Sequence, residues 1–331
     1  MKIQEIHLAS RPEGTPTTEN FSLIDRERPK LEDGKVLVKN LWMSVDPYMR
    51  GRMTNTKSYI APFEVGKVME GGAIGEVIES RNAQFPVGMK VSTMQGWRSH
   101  FASDGNDLTP IPPTPLPLQS FLGIMGMPGM TAWSGLFYIA DLQPTDTVFV
   151  SAASGAVGSV ACQIAKIHGC TVIGSVGSDD KADLLKKMGI DAVINYKTAG
   201  NLSKALATVS PQGIDVYFDN VGGDHLEAAL NNMNDFGRIT ACGMISNYND
   251  SEPQPGPNNL LKIIAQKLTM QGFIVTDHWD HYPEFIQQMG QWISEGKIKW
   301  EETVYDGLDK APDAFLGLFE GKNTGKMLVK L

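Results

Sequence analysis

A glycine-containing turn, Ser154-Gly155-Ala156-Val157-Gly158, lies between an apolar run and an amphipathic stretch. The run from Val148 to Ala153 predicts a buried strand, and the segment SVACQIAKIHG that follows the turn predicts a helix. Glycines let the backbone approach a pyrophosphate, whose charge is favoured by the N–H groups and macrodipole at a helix start. With a second strand from Thr171 to Ser175, the pattern predicts a dinucleotide phosphate loop, although Ala153 replaces the first glycine of GxGxxG. An ordinary glycine-rich turn is the alternative.

The residues after the second strand bear on which dinucleotide binds. An NAD site places a carboxylate there to bond the ribose 2′-hydroxyl, and Gly174 to Ser178 contain none. Asp179 or Asp180 is expected to cap the next helix, which puts Lys181 in its first turn, where a cation is unfavourable unless an anion offsets it. The 2′-phosphate of NADP is such an anion, and Tyr196 after the third strand is the other candidate contact. A solvated helix lysine and a half-buried strand tyrosine are the structural alternatives.

Composition and charge exclude several other function classes. The chain has 29 Lys and Arg against 37 Asp and Glu, a net charge of −8, without the basic runs that track nucleic-acid phosphates. No apolar run approaches the ~18 residues of a membrane span. Cys162, Cys170 and Cys242 lack metal-ligand spacing, and the pair His278 and His281 lacks a third ligand nearby. Because the start also lacks a signal-peptide pattern, we expect a soluble, metal-free protein of the reducing cytoplasm.

The elements that must position these residues follow two patterns. The first hundred residues contain short β runs separated by Gly, Pro and Asp turns, which predict a barrel-like domain. The proline-dense stretch from Ile111 to Leu118 is expected to be neither helix nor central strand. From Thr147, apolar strands alternate with amphipathic helices, one of them near Asn201 to Val209, which predicts a parallel sheet covered on both faces. Gly169 and Gly189 are expected to end helices, and the tail from Gly325 to return as a strand of the first domain.

Taken together, the motifs resemble the zinc-independent medium-chain dehydrogenase/reductases of the leukotriene B4 12-hydroxydehydrogenase/prostaglandin reductase type. Bacterial and plant members of this family are NADPH-dependent alkenal/one double-bond reductases and curcumin reductases. The resemblance covers nearly the whole chain and is carried by VDPYMRGRM (Val45 to Met53), GMPGMTAW (Gly126 to Trp133), AASGAVGSVACQIAK (Ala152 to Lys166), GSVGSDDKADLLKKMGID (Gly174 to Asp191), NYK (Asn195 to Lys197), FDNVGG (Phe218 to Gly223), CGMISNYN (Cys242 to Asn249) and GKNTGKMLVK (Gly321 to Lys330).

The resemblance implies an α/β fold with a GroES-like β-barrel domain and a Rossmann domain built on a doubly wound parallel sheet. We expect the GroES-like catalytic domain at residues 1–125 and 297–331, and the NADP-binding Rossmann domain at residues 126–296. The family's members are usually homodimers, so a homodimer is expected here.

The resemblance also implies a set of NADPH contacts. The positions that match the family's cofactor contacts are Gly155, Ala156, Val157 and Gly158 at the pyrophosphate, Lys181 and Tyr196 at the 2′-phosphate, and Asn220, Cys242, Gly243, Met244, Ile245, Ser246, Tyr248, Phe273, Ile274, Val275 and Asn323 elsewhere. Phe273 to Val275 are expected near the nicotinamide. Met127 and Thr131 are further candidates there, or packing residues at a helix start.

The family chemistry is hydride transfer from NADPH to the β-carbon of an α,β-unsaturated ketone or aldehyde, with charge developing on the carbonyl oxygen. A preoriented hydrogen-bond donor at that oxygen is the useful protein contribution. Tyr248 is the candidate donor, because an ordinary tyrosine, with a pKa of about 10, keeps its proton at neutral pH; an exposed loop tyrosine is the alternative. Tyr48 and Tyr59 are candidate substrate-binding residues or buried barrel tyrosines. Arg50 and Arg52 are expected either to attract an anionic substrate or to be solvated.

Two other functions remain open at this point. A quinone reductase of the zeta-crystallin kind has the same cofactor and fold, although VDPYMR and the NYN segment favour the double-bond reductase. An NADPH-binding protein with little turnover is the other alternative, since the proposed chemistry needs no nucleophile or metal ligand whose absence would exclude catalysis.

Overall fold

The computed structural model describes residues 2–331 and divides them into two compact units. The first unit comprises the residues up to Leu122 together with Glu302–Asn323 and Met327–Leu331. The second unit comprises Gly123–Glu301 and Thr324–Lys326. The domain bounds drawn from the sequence, at residues 125/126 and 296/297, stay predictions.

The secondary structure of residues 2–331 is mixed α/β. The strands are β1 (Lys2–Leu8), β2 (Phe21–Glu27), β3 (Val36–Ser44), β4 (Ala73–Ser80), β5 (Lys90–Thr93), β6 (His100–Ser103), β7 (Thr109–Pro110), β8 (Thr147–Val150), β9 (Thr171–Val176), β10 (Ala192–Asn195), β11 (Ile214–Asp219), β12 (Met233–Ala241), β13 (Thr269–Gly272), β14 (Glu302–Asp306) and β15 (Lys326–Lys330). The α-helices are α1 (Met49–Arg52), α2 (Met127–Ser134), α3 (Gly158–Ile167), α4 (Asp179–Lys187), α5 (Leu202–Val209), α6 (Gly223–Asn232), α7 (Leu261–Ala265), α8 (Tyr282–Ser294) and α9 (Ala311–Phe319). A π-helical turn at Gly135–Ile139 continues α2.

The first unit is built on antiparallel strands. Its larger sheet has the order β14-β15-β3-β4-β5-β7, with β6 also pairing with β3, and β1 pairs with β2 in a separate ribbon. In its core, Phe21 and Trp97 stack, and Phe315 meets both rings edge to face. The tail pairs antiparallel with β3, so the expectation of a returning terminal strand is confirmed. Residues 111–117 form neither helix nor strand, as the prolines predict.

The second unit is a parallel sheet with the order β10-β9-β8-β11-β12-β13. The chain runs outward from β8 through β9 to β10, then returns to the other side of β8 and runs outward again, so the strand order reverses between β8 and β11. Strands β8 and β11 are almost wholly buried, as their mostly apolar sequences require, and in β11 Asp219 is buried with them. Gly169 and Gly189 follow α3 and α4 at φ of +100° and +86°, so the predicted helix ends are confirmed.

Two local expectations were wrong. The strand predicted to run to Ala153 ends at Val150, because Ser151 and Ala152 turn the chain, the latter at φ of +48°. The N-cap of α4 is Ser178 rather than either aspartate, which moves both acidic residues into the first turn. The carboxylates therefore favour the helix through its dipole rather than through a capping bond. Lys181 does lie in that first turn, as predicted.

Gly325 gives a stability prediction. It sits at φ of +65°, its N–H donates to Ser154 O at 2.8 Å, and an added Cβ would lie 1.9 Å from Glu301 O. We expect Gly325→Ala to lower the free energy of unfolding by about 1–3 kcal/mol, because both the backbone conformation and the contact with Glu301 must change.

Gly290→Ala is the matched control, because Gly290 lies within α8 with nothing within 4 Å of an added Cβ. Because alanine has a higher helix propensity than glycine, Gly290→Ala should raise the free energy of unfolding by about 0.5–1 kcal/mol. Urea denaturation measures both, and equal unfolding midpoints for Gly325→Ala and the parent would contradict the prediction.

Candidate functional site

The carboxyl ends of the parallel strands lie along one edge of the second unit's sheet. Open parallel sheets bind ligands outside this edge, where the strand order reverses. In spatial order, the segments leaving it are Tyr196 after β10, Gly177 after β9, residues 151–157 after β8, Asn220 after β11, residues 242–248 after β12 and residues 273–275 after β13. The structure thus brings to one edge most of the site residues that the sequence predicts within this unit.

The loop between β8 and α3 is a close-packed backbone turn. An added Cβ on Gly158 would lie 2.3 Å from Ala152 O, and one on Gly155 would lie 3.2 Å from the same oxygen. The loop is held by backbone bonds from Ala153 N to Ser175 O and from Gly155 N to Ala152 O, both 2.9 Å. Gly158 is the first residue of α3, so the positive end of that helix dipole faces the loop. This geometry suits a bound phosphate.

Lys181, Tyr196 and Lys197 form a cationic corner beyond the ends of β9 and β10. An added Cβ on Gly177 would lie 3.0 Å from the Tyr196 hydroxyl oxygen and 3.4 Å from Lys197 Cε. Burial and then the charge of Lys197 lower the pKa of Lys181, so two ammonium groups act on each other here. A bound dianion offsets that repulsion. Lys197 was missed from the sequence; its position directly after Tyr196 in the NYK segment was the available signal.

Asp219 organises the middle of the edge. Its Oδ1 accepts hydrogen bonds from the Tyr217 hydroxyl at 2.7 Å, Gly222 N at 2.7 Å and Val221 N at 2.9 Å. Its carbonyl oxygen accepts from Cys242 N and Gly243 N at 2.9 and 3.0 Å. Burial raises the pKa of this carboxyl, while the hydrogen bonds from Gly222 and Tyr217 oppose the rise. The residue joins the ends of β11 and β12, a role that sequence reasoning missed.

Asn220, a predicted cofactor contact, is tied to the end of β8. Its Nδ2 donates to Ser151 O at 2.8 Å, and its backbone N donates to Ser151 Oγ at 2.9 Å. The amide therefore stands at the point where the strand order reverses, with its side chain oriented by Ser151.

The segment from Cys242 to Tyr248 folds back against the β11 end. Ser246 Oγ donates to Val221 O at 2.5 Å, and Ile245 N donates to Asn220 O at 3.3 Å. Burial, with a smaller effect of Asp219, raises the pKa of the Cys242 thiol to about 12, so this thiol is not a nucleophile at neutral pH. Met244 is exposed, and an added Cβ on Gly222 would lie 3.0 Å from its Cγ. The segment is thus positioned by backbone and Ser246 bonds.

The Tyr248 hydroxyl lies over its own segment. It accepts a hydrogen bond from Met244 N at 3.4 Å, and an added Cβ on Gly243 would lie 3.1 Å from it. The bond from Met244 engages an oxygen lone pair rather than the hydroxyl proton. The side chain is therefore held at the carboxyl end of β12.

Residues 273–275 and α2 supply apolar surface near β13. Phe273 and Ile274 are half-buried and Val275 is buried. An added Cβ on Gly135, in the π-helical turn, would lie 3.0 Å from Phe273 Cζ. In α2, Thr131 Oγ1 donates to Met127 O at 2.7 Å, which is the bond of a helix packing position.

The remaining predicted residues lie in the first unit. Tyr48 is half-buried at the start of α1, and burial followed by the charge of Asp46 raises the pKa of its hydroxyl. Tyr59 is 61% exposed, and its hydroxyl is close enough to Tyr48 to affect the same pKa. Asn323 lies in the connection between α9 and β15. The roles of these three residues stay predictions.

The expectation that Arg50 and Arg52 are solvated was wrong, because both side chains are buried and donate hydrogen bonds within the first unit; attraction of an anionic substrate stays a prediction. Arg50 donates to Gly14 O at 2.8 Å. Arg52 donates to Ala61 O at 2.9 Å and to Glu70 at 2.8 Å, and it stacks 4.0 Å above the Phe63 ring. Arg52 thereby holds the loop that carries Tyr59, and Arg50 holds the loop at Gly14.

Two searches over residues 2–331 gave negative results. No group of three or more His, Cys, Asp or Glu side chains in this range is arranged to hold a metal ion. No helix in the same range is long and apolar enough to cross a bilayer.

Comparison with known proteins gives matches along most of the chain. Residues 4–111 match the family described as N-terminal domain of oxidoreductase, and residues 156–291 match the zinc-binding dehydrogenase family. Prostaglandin reductase 1 of Rattus norvegicus is 47% identical, over 96% of this chain and 96% of that protein. The 2-alkenal reductase (NADP(+)-dependent) of Nicotiana tabacum is 45% identical, over 89% of this chain and 86% of that protein. The crystal structure of CurA in complex with NADPH from Vibrio vulnificus superimposes with a TM-score of 0.94 at 42% identity, covering 99% of this chain and 98% of that one.

The cationic corner generates a binding prediction. We expect Lys181→Ala to raise the KM for NADPH by about 10- to 100-fold, the loss of one charge-assisted phosphate contact, and to leave the KM for NADH nearly unchanged. Steady-state kinetics with both cofactors measure the two effects.

Lys186→Ala is the matched control, because Lys186 is on the same helix and is exposed beside Asp183. It should change neither constant. Equal effects of Lys181→Ala on NADPH and NADH would remove Lys181 from the 2′-phosphate contact.

Proposed function

The chain belongs to the medium-chain dehydrogenase/reductase family, among its NADP-dependent members, and we propose that it reduces the C=C bond of α,β-unsaturated ketones or aldehydes with NADPH. The observation that carries the proposal is the arrangement along one sheet edge. The cationic corner, the glycine phosphate loop and the segment that carries Tyr248 follow one another there, in the order in which a dinucleotide would place its 2′-phosphate, pyrophosphate and nicotinamide. The similarity to an alkenal reductase and a prostaglandin reductase over most of each chain supports the substrate class.

The residues of the edge fit NADPH. Gly155 and Gly158 leave a cradle that a Cβ would fill, which suits the pyrophosphate together with Ala156 and Val157. We assign the 2′-phosphate to Lys181 and Tyr196, on the β9 and β10 side. The nicotinamide half then falls on the β12 and β13 side, where Asn220, Cys242, Gly243, Met244, Ile245, Ser246, Tyr248, Phe273, Ile274 and Val275 stand. We also assign Asn323 to the cofactor.

When bound, NADPH supplies the hydride that reaches the β-carbon of the substrate. Negative charge then develops on the substrate carbonyl oxygen, and a fixed donor at that oxygen stabilises it most. Tyr248 is the donor in this proposal, because its hydroxyl stands at the carboxyl end of β12, where it accepts a hydrogen bond from Met244 N. A neutral tyrosine supports the developing charge without giving up its proton in the resting enzyme.

The substrate is a small enone or enal, and we assign Tyr48 and Tyr59 of the first unit to its binding. Burial beside Asp46 raises the pKa of Tyr48, which keeps that hydroxyl protonated and available as a donor. Tyr59 offers an exposed aromatic face for an apolar substrate tail.

Zinc independence and a cytoplasmic location are further parts of the proposal. The reaction needs a donor to the carbonyl oxygen and no Lewis acid, so the donor set of the edge is sufficient. The three cysteines are all thiols, which suits a reducing compartment.

A homodimer is also proposed, with a second copy of this chain against the outer edge of the parallel sheet. Strand β13 ends that sheet with one side unpaired by another strand of the described chain. Beside it, Leu261 and Ile264 of α7 are 73% and 75% exposed. An open strand edge next to exposed apolar side chains suits pairing with an identical edge across a two-fold axis.

The first experiment is NADPH oxidation with a medium-chain 2-alkenal, an aryl enone, a 1,4-quinone and no acceptor, repeated with NADH and with a chelator. The proposal expects enone-dependent oxidation that favours NADPH, survives the chelator and yields a saturated carbonyl product. Activity with the quinone alone would replace the proposal by a quinone reductase. Cofactor binding without any acceptor-dependent oxidation would replace it by a non-catalytic binding protein.

Tyr248→Phe tests the mechanism. We expect turnover to fall by at least about 100-fold, the typical effect of removing one oxyanion donor, while the Kd for NADPH stays nearly unchanged. Tyr138→Phe is the control, because Tyr138 bonds His281 on the surface of the second unit. Unaltered turnover in Tyr248→Phe would remove this hydroxyl from the chemistry.

Leu261→Lys combined with Ile264→Lys tests the dimer. Two buried lysines would be too costly at an apolar interface, so the parent should measure as a dimer and the variant as a monomer in light scattering. Val87→Lys, an exposed apolar site of the first unit, is the control and should leave the dimer intact. A monomeric parent would end the proposal.

A further inference from the structure

A buried histidine lies behind the cationic corner. His225, on α6, is 5% exposed. Its Nε2 and Ser175 Oγ are 2.8 Å apart, within hydrogen-bond distance. Its ring meets the Tyr196 ring edge to face, with the centroids 5.0 Å apart and the planes at 76°. The imidazole is thus fixed on one side by a serine and packs on the other against a proposed phosphate contact.

Ser175 connects this histidine to the phosphate loop. It is on β9, and its carbonyl oxygen accepts the bond from Ala153 N that holds the loop. The side-chain hydroxyl of the same serine lies within hydrogen-bond distance of His225 Nε2. One buried residue therefore links the backbone that faces the pyrophosphate with the imidazole that supports Tyr196.

Tyr196 needs such support because it follows the last residue of β10 and its side chain is 39% exposed. Its backbone N donates to Val176 O at 3.0 Å, which fixes the main chain but leaves the side-chain torsions undetermined. The edge-to-face contact is a directional constraint on the ring. It directs the hydroxyl toward Gly177, where the added Cβ would lie 3.0 Å away.

The imidazole is neutral at physiological pH. Burial lowers its pKa to about 4, and the charge of Asp224 opposes the shift only weakly. A neutral ring adds no third positive charge beside Lys181 and Lys197. His225 therefore contributes geometry rather than charge.

We propose that His225, fixed by Ser175, is a positioning residue that orients Tyr196 toward the 2′-phosphate and so contributes to the preference for NADPH over NADH. The inference rests on the proposed function for the identity of the cofactor. It concerns the cationic corner alone and does not require the chain to reduce an enone.

The test is calorimetric binding of adenosine 2′,5′-bisphosphate and of 5′-AMP, two probes that differ only in the 2′-phosphate. We expect His225→Ala to weaken the bisphosphate by about 3- to 10-fold, the range of one aromatic contact, and to change the affinity for 5′-AMP by less than about twofold. His225→Phe keeps a ring against Tyr196 and should recover most of the preference. Ser175→Ala should weaken the bisphosphate selectively, because the imidazole loses its anchor.

A double-mutant cycle identifies the route of the effect. In a Tyr196→Ala background, His225→Ala should add almost nothing, because the ring that it positions is gone. His168→Ala is the matched control: it removes another histidine–aromatic contact, with Phe137, in the same unit, and should leave both affinities unchanged.

Several outcomes would overturn the proposal. These are an equal loss of both nucleotides in His225→Ala, an undiminished effect in the Tyr196→Ala background, or a parent that binds the bisphosphate no better than 5′-AMP. If His225→Ala does not fold, an unchanged preference in Ser175→Ala decides against it. Failure of the proposed function is distinguishable, since it would appear as absent enone reduction with the calorimetric pattern intact.

Discussion

The carboxyl edge of the parallel sheet depends on the hydrogen bonds that the buried Asp219 accepts. This residue gathers a tyrosine hydroxyl and two backbone N–H groups around one oxygen, while its carbonyl fixes the first residues after β12. Removing a buried acceptor leaves several donors without partners, and each costs about 1–3 kcal/mol. Because the donors come from the ends of β11 and β12, the loops that leave these two strands are set together. One buried carboxylate thereby determines where Asn220 and the segment from Cys242 to Tyr248 stand.

The alternation of apolar and amphipathic segments was sufficient to predict the parallel sheet, because buried parallel strands and covering helices leave periodic signals in the chain. Individual element ends were harder. Strand β8 stops at Val150 because Ser151 and Ala152 turn the chain, and the turn is held by bonds of Ser151 to Phe218 of β11 and to Asn220 just beyond it, partners that are remote in sequence. Helix α5 begins where predicted, because Asn201 caps it locally through Lys204 N at 2.8 Å.

The site was predictable where a residue's role is local and unpredictable where it depends on tertiary neighbours. The phosphate loop and Lys181 have local signals, namely glycine spacing and a cation at a helix start. Lys197 and His225 acquire their roles only when β10 and α6 are brought beside α4 and β9. The arginines of VDPYMRGR carry no signal of burial, since ionised side chains are mostly exposed, and only the backbone carbonyls they reach explain their position.

The bond between Gly325 and the phosphate loop has a consequence for synthesis. Gly325, directly before β15, pairs in parallel with Gly155 and donates to Ser154, so it completes a turn that the chain forms much earlier, between β8 and α3. On the ribosome, where chains emerge amino terminus first at roughly 5–20 residues per second, the parallel sheet can form well before residue 325 has left the exit tunnel. The nascent chain then carries a nearly complete sheet with an unfinished phosphate turn. The phosphate turn is thus completed only after the sheet that carries it.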